Sequence, residues 1–169
     1  MAIVEELLLE SYLRSKGAHF DVIMHAETDD ALEKSDILEV PSYGILKSLL
    51  IKGDLGEAVA VLPASRRINL RLLSKLTGDH HARLAGEDEL DWEYPSVELG
   101  ALPPLGRLLG IPTYVDATVL EHDLVIVSSG RRNESLMIKT ADLFHGESVI
   151  AGLFSDPLDL EEAGDPDFG

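Results

Sequence analysis

A lysine inside an apolar strand is the first residue whose position asks for chemistry. Ile45, Leu46, Leu49, Leu50 and Ile51 read as a buried strand over 45–52, and Lys47 and Ser48 lie within it. An ammonium is costly to bury without a partner. Either alternation turns Lys47 to solvent, or the strand faces a pocket where the ammonium meets an anion. The second segment is Gly100-Ala101-Leu102-Pro103-Pro104-Leu105-Gly106. Its two prolines fix φ near about −65° and remove two backbone donors, so it is a stiff loop. The glycine at each end permits positive φ or close approach by another chain. The third is Ser128-Ser129-Gly130-Arg131-Arg132, a polar turn rich in hydroxyl and N–H donors. Its arginines belong near a phosphate or on the surface of the turn. Asp116, after an extended run from Pro112 to Val115, is a cap or a buried hydrogen-bonding acid.

Several chemistries lack their residues. There is no cysteine, which excludes disulfides, thiolate zinc sites and cysteine nucleophiles. The histidines, His25 among them, have neither HExxH nor i,i+4 spacing, so no metal is expected. GxSxG, GxGxxG and GxxxxGK[ST] are absent, which removes the nucleophile elbow and the common nucleotide fingerprints.

The elements that must position these residues alternate along the chain. Residues 3–16 form an amphipathic helix stopped by Gly17, and residues 20–24 a strand ending at His25. Residues 28–38 form a helix with Thr28 as its expected N-cap. Strands at 45–52 and 57–62 make a hairpin across Gly53–Gly56. A helix spans 69–76, a short strand 80–84 and a short acidic helix 87–92. Extended segments follow at 112–115, 123–127 and 134–139, then a short turn or helix at 141–144. Mixed elements with frequent tight hairpins predict an α+β domain. Its sheet is expected to be curled, barrel-like, mixed and mostly antiparallel, with helices around it. Residues 1–154 read as one domain and 155–169 as an acidic, loose tail.

The net charge of −17 argues against broad contact with a nucleic-acid backbone. It is unevenly placed. Residues 47–139 hold 11 of the 14 Lys and Arg against 13 acids, whereas 8 acids and no base follow Lys139. A small basic site in the middle is compatible with that distribution. The N-terminus lacks the basic and apolar blocks of a signal peptide, and no run suits a membrane helix. A cytoplasmic protein is expected, with neither membrane nor DNA as partner.

Five segments together resemble a known family. They are Tyr43 to Ile51 with its lysine and following hydroxyl residue, Ile68 to Gly78, the GxxPPxG loop Gly100 to Gly106, Ile111 to Asp116, and Val127 to Arg132. In this order and spacing they are similar to the YbaK/prolyl-tRNA-synthetase-associated domain, a family that includes free-standing trans-editing aminoacyl-tRNA deacylases. The likeness runs over roughly residues 3–150.

The resemblance implies hydrolysis of the ester between a wrongly attached amino acid and the 3′-terminal adenosine of a tRNA, with no cofactor. Lys47 would hold that nucleotide's phosphate. Gly100 would offer its N–H to the ester carbonyl or the attacking water. Leu102, Pro103, Gly106, Ser128, Ser129 and Gly130 would shape the pocket. His25 and Thr28 would lie near the amino acid or the adenosine, and Ser48 and Asp116 are also expected on the substrate side. The acceptor end of an aminoacyl-tRNA is the implied partner, with an aminoacyl-tRNA synthetase as a second. Ser48 stands where threonine is common, and Ser135 where members often carry an acid, so the amino acid removed is not named. Two other readings stay open: a binding module of the same fold without turnover, and an unrelated interaction protein. At this charge, affinity for free unacylated tRNA is expected to be weak and salt-sensitive. Filter binding at about 0.2 M salt measures it, and tight binding there would contradict the expectation.

Overall fold

The computed structural model describes residues 9–98 and 100–158. The fold is α+β with a mostly antiparallel, curled sheet system. Its centre is a hairpin of β2 (Leu46–Gly53) and β3 (Gly56–Pro63), paired along its length from Leu46↔Pro63 to Gly53↔Gly56. Beyond β3, β6 (Thr113–Asp116) and then β9 (Val149–Gly152) add in parallel. A second sheet has β1 (Phe20–Met24) and β7 (Leu124–Ser128) flanking β8 (Glu134–Lys139), all antiparallel. A parallel bridge between Ile45 and Ile126 joins the two sheets.

That junction leaves a gap. Along the β2 edge away from β3, Ile45 meets β7, and Ile51 and Lys52 meet the short β5 (Arg83–Leu84). Among the described residues no strand pairs with that edge at Lys47–Leu49. The Leu50 carbonyl points to this side, where it accepts from the Ala85 N–H at 2.9 Å. Strand alternation turns the Ser48 N–H and C=O the same way, into the gap.

The apolar run over 45–52 is explained by burial on both faces of the hairpin. Leu46 and Leu50 pack with Val59, Val61, Leu102, Leu105 and Val127 on one side. Ile51 packs with Ala60, Leu62, Leu73 and Phe154 on the other. The helices are α1 (Leu9–Ser15), α2 (Ala31–Leu38), α3 (Leu70–Thr77), α4 (Glu87–Glu93) and α5 (Thr140–Phe144). The expected helix over 3–16 is described from Leu9, since residues 1–8 lie outside the described residues. In α3, Asn69 caps the Leu72 N–H and Gly78 ends the helix in the left-handed conformation, φ 80°.

Thr28 is not the N-cap of α2. Asp30 is: its backbone is extended and its carboxylate accepts from the Leu32 N–H at 2.9 Å. Thr28 sits two residues earlier and is buried, its hydroxyl accepting from the Asp30 N–H and donating to Glu33. Both residue types suit a cap, and the chain takes the later one because Thr28 is held back by its N–H bond to the Arg132 carbonyl.

The fold also reaches past Phe154. Residues Ser155–Pro157 form β10, antiparallel to β4 (Arg66–Ile68), although acidity and proline group them with the tail. Residues 159–169 lie outside the described residues. Fully buried Asp116 anchors this return. Its Oδ2 accepts from the Phe154 N–H at 2.9 Å and its Oδ1 from the Thr118 N–H and hydroxyl. Asp116→Ala leaves those donors without an acceptor. Urea unfolding is expected to show a loss of about 2–4 kcal/mol.

Candidate functional site

The gap beside β2 opens into a cavity of about 230 Å³. Its walls are Asp29–Leu32 and Lys34 from the start of α2, Leu46–Leu49 of β2, Ala64, Gly100 and Ser128. Three hydrogen bonds draw these segments together. Thr28 N–H donates to the Arg132 carbonyl at 3.1 Å, Glu98 N–H donates to the Gly130 carbonyl at 3.0 Å, and a Glu98 carboxylate oxygen accepts from the Arg132 N–H at 2.7 Å. The turn after β7 is thus the post to which the loops carrying Asp29 and Gly100 are fastened.

Gly100 has φ 74°, and a Cβ built on it would lie 2.3 Å from the Asp29 carbonyl oxygen. No other residue fits that backbone contact. The next residue's N–H is used in a turn to Glu98, whereas the Gly100 N–H has no partner among the described residues. The stiff loop then enters the core: Ala101, Leu102, Pro103, Pro104 and Leu105 are buried. Gly106 closes the loop from below. Its N–H donates to Thr113 Oγ1 at 2.7 Å, and a Cβ there would meet the Ile111 carbonyl oxygen at 2.4 Å.

Of the residues singled out in the sequence, Lys47, Ser48, Gly100 and Ser128 share the cavity lining. Lys47 is half-buried. Burial lowers its pKa, and the nearby Asp30 carboxylate opposes that shift. Thr28 lies one residue behind the wall. Ser129, fully buried, donates to the Glu134 carbonyl at 3.3 Å, and Gly130 is buried in the turn with φ 114°. Leu102, Pro103, Gly106 and Asp116 are outside the lining and belong to the supporting core. His25 is also outside it. Its Nδ1 is 2.8 Å from the Ala26 carbonyl, so Nδ1 carries the proton, and in the neutral ring Nε2 accepts from Ser135 Oγ at 2.8 Å. Ser135, the position where the resemblance implies an acid, is therefore a buried serine holding a histidine. Among the described residues, no three His, Cys, Asp or Glu side chains gather where a metal ion could sit.

Lys34 is the cavity residue that sequence reasoning missed. It is 5% exposed, and its Nζ donates to Ser128 Oγ at 3.1 Å. Burial holds its pKa down at about 8. A signal was present: Ala31, Lys34, Ser35 and Leu38 stand at i, i+3, i+4 and i+7, one face of a helix. Ala31 and Leu38 pack there against Ile45, Ala64 and Ile126, carrying Lys34 inward with them.

The comparisons bear on the family and the fold. The family model for the aminoacyl-tRNA editing domain matches residues 25–145. The Enterococcus faecalis protein named "Putative Cys-tRNA(Pro)/Cys-tRNA(Cys) deacylase EbsC" is 26% identical over 111 residues, which is 63% of this chain and 67% of that protein. A proline–tRNA ligase of Thermosipho africanus is 35% identical over 72 residues; the match takes in 43% of this chain and 13% of the ligase. Among solved structures, hypothetical protein APE2540 superposes with a TM-score of 0.79 at 24% identity, covering 88% of this chain and 99% of its own. A protein described as a "putative trans-editing enzyme for prolyl tRNA synthetase" gives 0.73 at 21% identity, covering 89% and 97%. At these identities the structures speak for the fold.

The buried lysine has a measurable consequence. Lys34 has a folded pKa of about 8 against 10.5 when free, so the folded state disfavours its charged form. Below about pH 8 both states carry the proton and folding bears the full penalty. As pH rises from about 8 to 10.5 the unfolded chain holds more protons, and stability increases. Asp29, Asp30 and Lys47 face the same cavity and remain in both proteins compared. Chemical denaturation of wild type and Lys34→Met across pH 7–11 is expected to show this rise in their difference, with the variant the more stable near pH 7.

Proposed function

The chain belongs to the aminoacyl-tRNA editing domain family, and from that premise we propose that it is a deacylase that removes the amino acid from a mischarged tRNA. The observation that carries the reading is one cavity lined by both Lys47 and Gly100, whose N–H has no partner among the described residues. A cavity of about 230 Å³ is smaller than the roughly 300–1,000 Å³ of pockets that enclose a whole ligand. It suits one end of a long substrate. The end that fits the charges is the aminoacylated 3′-terminal nucleotide, with its phosphate on Lys47 and its ester carbonyl toward Gly100.

The chemistry is addition of one water across an activated ester. The water oxygen bonds to the carbonyl carbon, and the ester C–O bond breaks. The water's proton passes to the departing ribose oxygen, helped by the neighbouring ribose hydroxyl. Gly100 N–H, held rigid by the Asp29 contact and the prolines behind it, donates to the oxyanion as it develops. No side-chain nucleophile is required. The products are a free amino acid and a tRNA with its terminal hydroxyl restored.

The overall acidity fits contact limited to the acceptor end, with a basic partner such as a synthetase supplying hold on the rest of the tRNA. Loss of a charge-assisted hydrogen bond costs about 1.5–3 kcal/mol. Lys47→Ala is therefore expected to lower kcat/KM roughly 10- to 150-fold on the susceptible substrate in a panel of mischarged tRNAs. Binding of every substrate by wild type without hydrolysis of any would make the domain a binding module instead.

A further inference from the structure

The fold gives no reason for Lys34 to be charged. Its neighbours on the buried face of α2 are Ala31, Ser35 and Leu38, and an apolar side chain would pack there equally well. Its one hydrogen bond goes to Ser128 Oγ, a neutral group that is itself 7% exposed. No carboxylate lies within ion-pair distance of it among the described residues. An ammonium has three N–H donors, and two are left without an acceptor among the described residues. Such a group is costly in an interior unless the cavity in front of it receives an acceptor.

Lys34 and Lys47 are distinct anchors on that cavity. Lys47 is half-buried and feels the charge of Asp30, whereas Lys34 is sealed behind α2 and responds to burial alone. A substrate whose phosphate stays with the polynucleotide leaves it at the more exposed lysine. The deeper one then meets what enters furthest, between Leu46, Ala64 and Ser128.

Resting on the deacylase reading, we propose that Lys34 Nζ and Ser128 Oγ form a donor pair for a side-chain oxygen of the amino acid being removed, a carboxylate above all. Lys34 is thus a specificity-determining residue. A site built to donate hydrogen bonds to a side chain discriminates strongly against an analogue that lacks the acceptor, because its own polar groups are then left unpaired. The small volume of the cavity restricts that side chain to a short one.

Non-hydrolysable 3′-aminoacylamino-3′-deoxyadenosine 5′-phosphates carrying aspartate, serine or alanine test this by calorimetry. Wild type is expected to bind the aspartyl analogue about tenfold or more tightly than the alanyl one, with the seryl analogue between. Lys34→Met is expected to erase that preference while leaving alanyl affinity within about twofold, and Ser128→Ala to reduce it partly. Equal affinity of wild type for aspartyl and alanyl analogues would overturn the proposal. So would an equal loss for all three in Lys34→Met, which would put Lys34 on the nucleotide. The denaturation series above shows whether Lys34→Met is folded. Aspartyl preference without hydrolysis of aspartyl esters on tRNA would uphold Lys34 and overturn the deacylase reading. Hydrolysis indifferent to the Lys34 substitution would do the reverse, and no binding of any analogue would overturn both.

Discussion

The site depends on one backbone contact, Gly100 against Asp29. These residues are far apart in sequence, and neither is on a regular element. Yet the distance is so short that a single added carbon would strike the Asp29 carbonyl. That contact brings one loop beside the start of α2, which carries Lys34, and onto the cavity that Lys47 of β2 also lines. It is held from both sides. Pro103 and Pro104 stiffen the chain behind Gly100, and the turn after β7 fastens the segments before Gly100 and before Asp29. In the proposed hydrolysis, a donor placed this way needs no reorganisation when charge develops in front of it.

The second constraint is electrostatic. Proteins seldom bury cations, and here Lys34 and Lys47 face one small cavity that Asp29 and Asp30 also line, with Lys34 making no ion pair among the described residues. The interior bears that cost within a chain of net charge −17. Acidity elsewhere does not neutralise the cavity, because exposed charges beyond about 8 Å are screened at physiological salt. The cavity thus keeps two ammonium groups beside two carboxylates, in contrast to the strongly acidic chain around it. On the proposed reading, a chain that repels most of a nucleic-acid backbone keeps this narrow region for the substrate's end.

The sequence made much of this legible because local chemistry was unambiguous. Lys47 stood out as a charge inside an apolar run, and the Gly/Pro loop as a segment that could be neither helix nor strand. What stayed hidden depended on tertiary context. Lys34 drew no attention in the sequence, because its stripe of Ala31, Ser35 and Leu38 is only a weakly apolar signal. Thr28 and Asp30 are both good caps, and only the pairing of Thr28 with Arg132 decides between them. Asp116 looked equally suited to a cap or a buried acceptor, and it is both, for Thr118 and for Phe154. The parallel placement of β6 and β9 is set by long connections, about which hydrophobic alternation says nothing.

The interrupted ladder along β2 has another side. Unpaired strand edges invite the backbone of a second molecule, and such pairing is a common start of self-association. The stretch over Lys47–Leu49 is short, carries an ammonium, and lies in a recess beneath the start of α2. Each of these discourages an intruding strand. The features that ready the recess for a small guest therefore also guard the chain against its own copies.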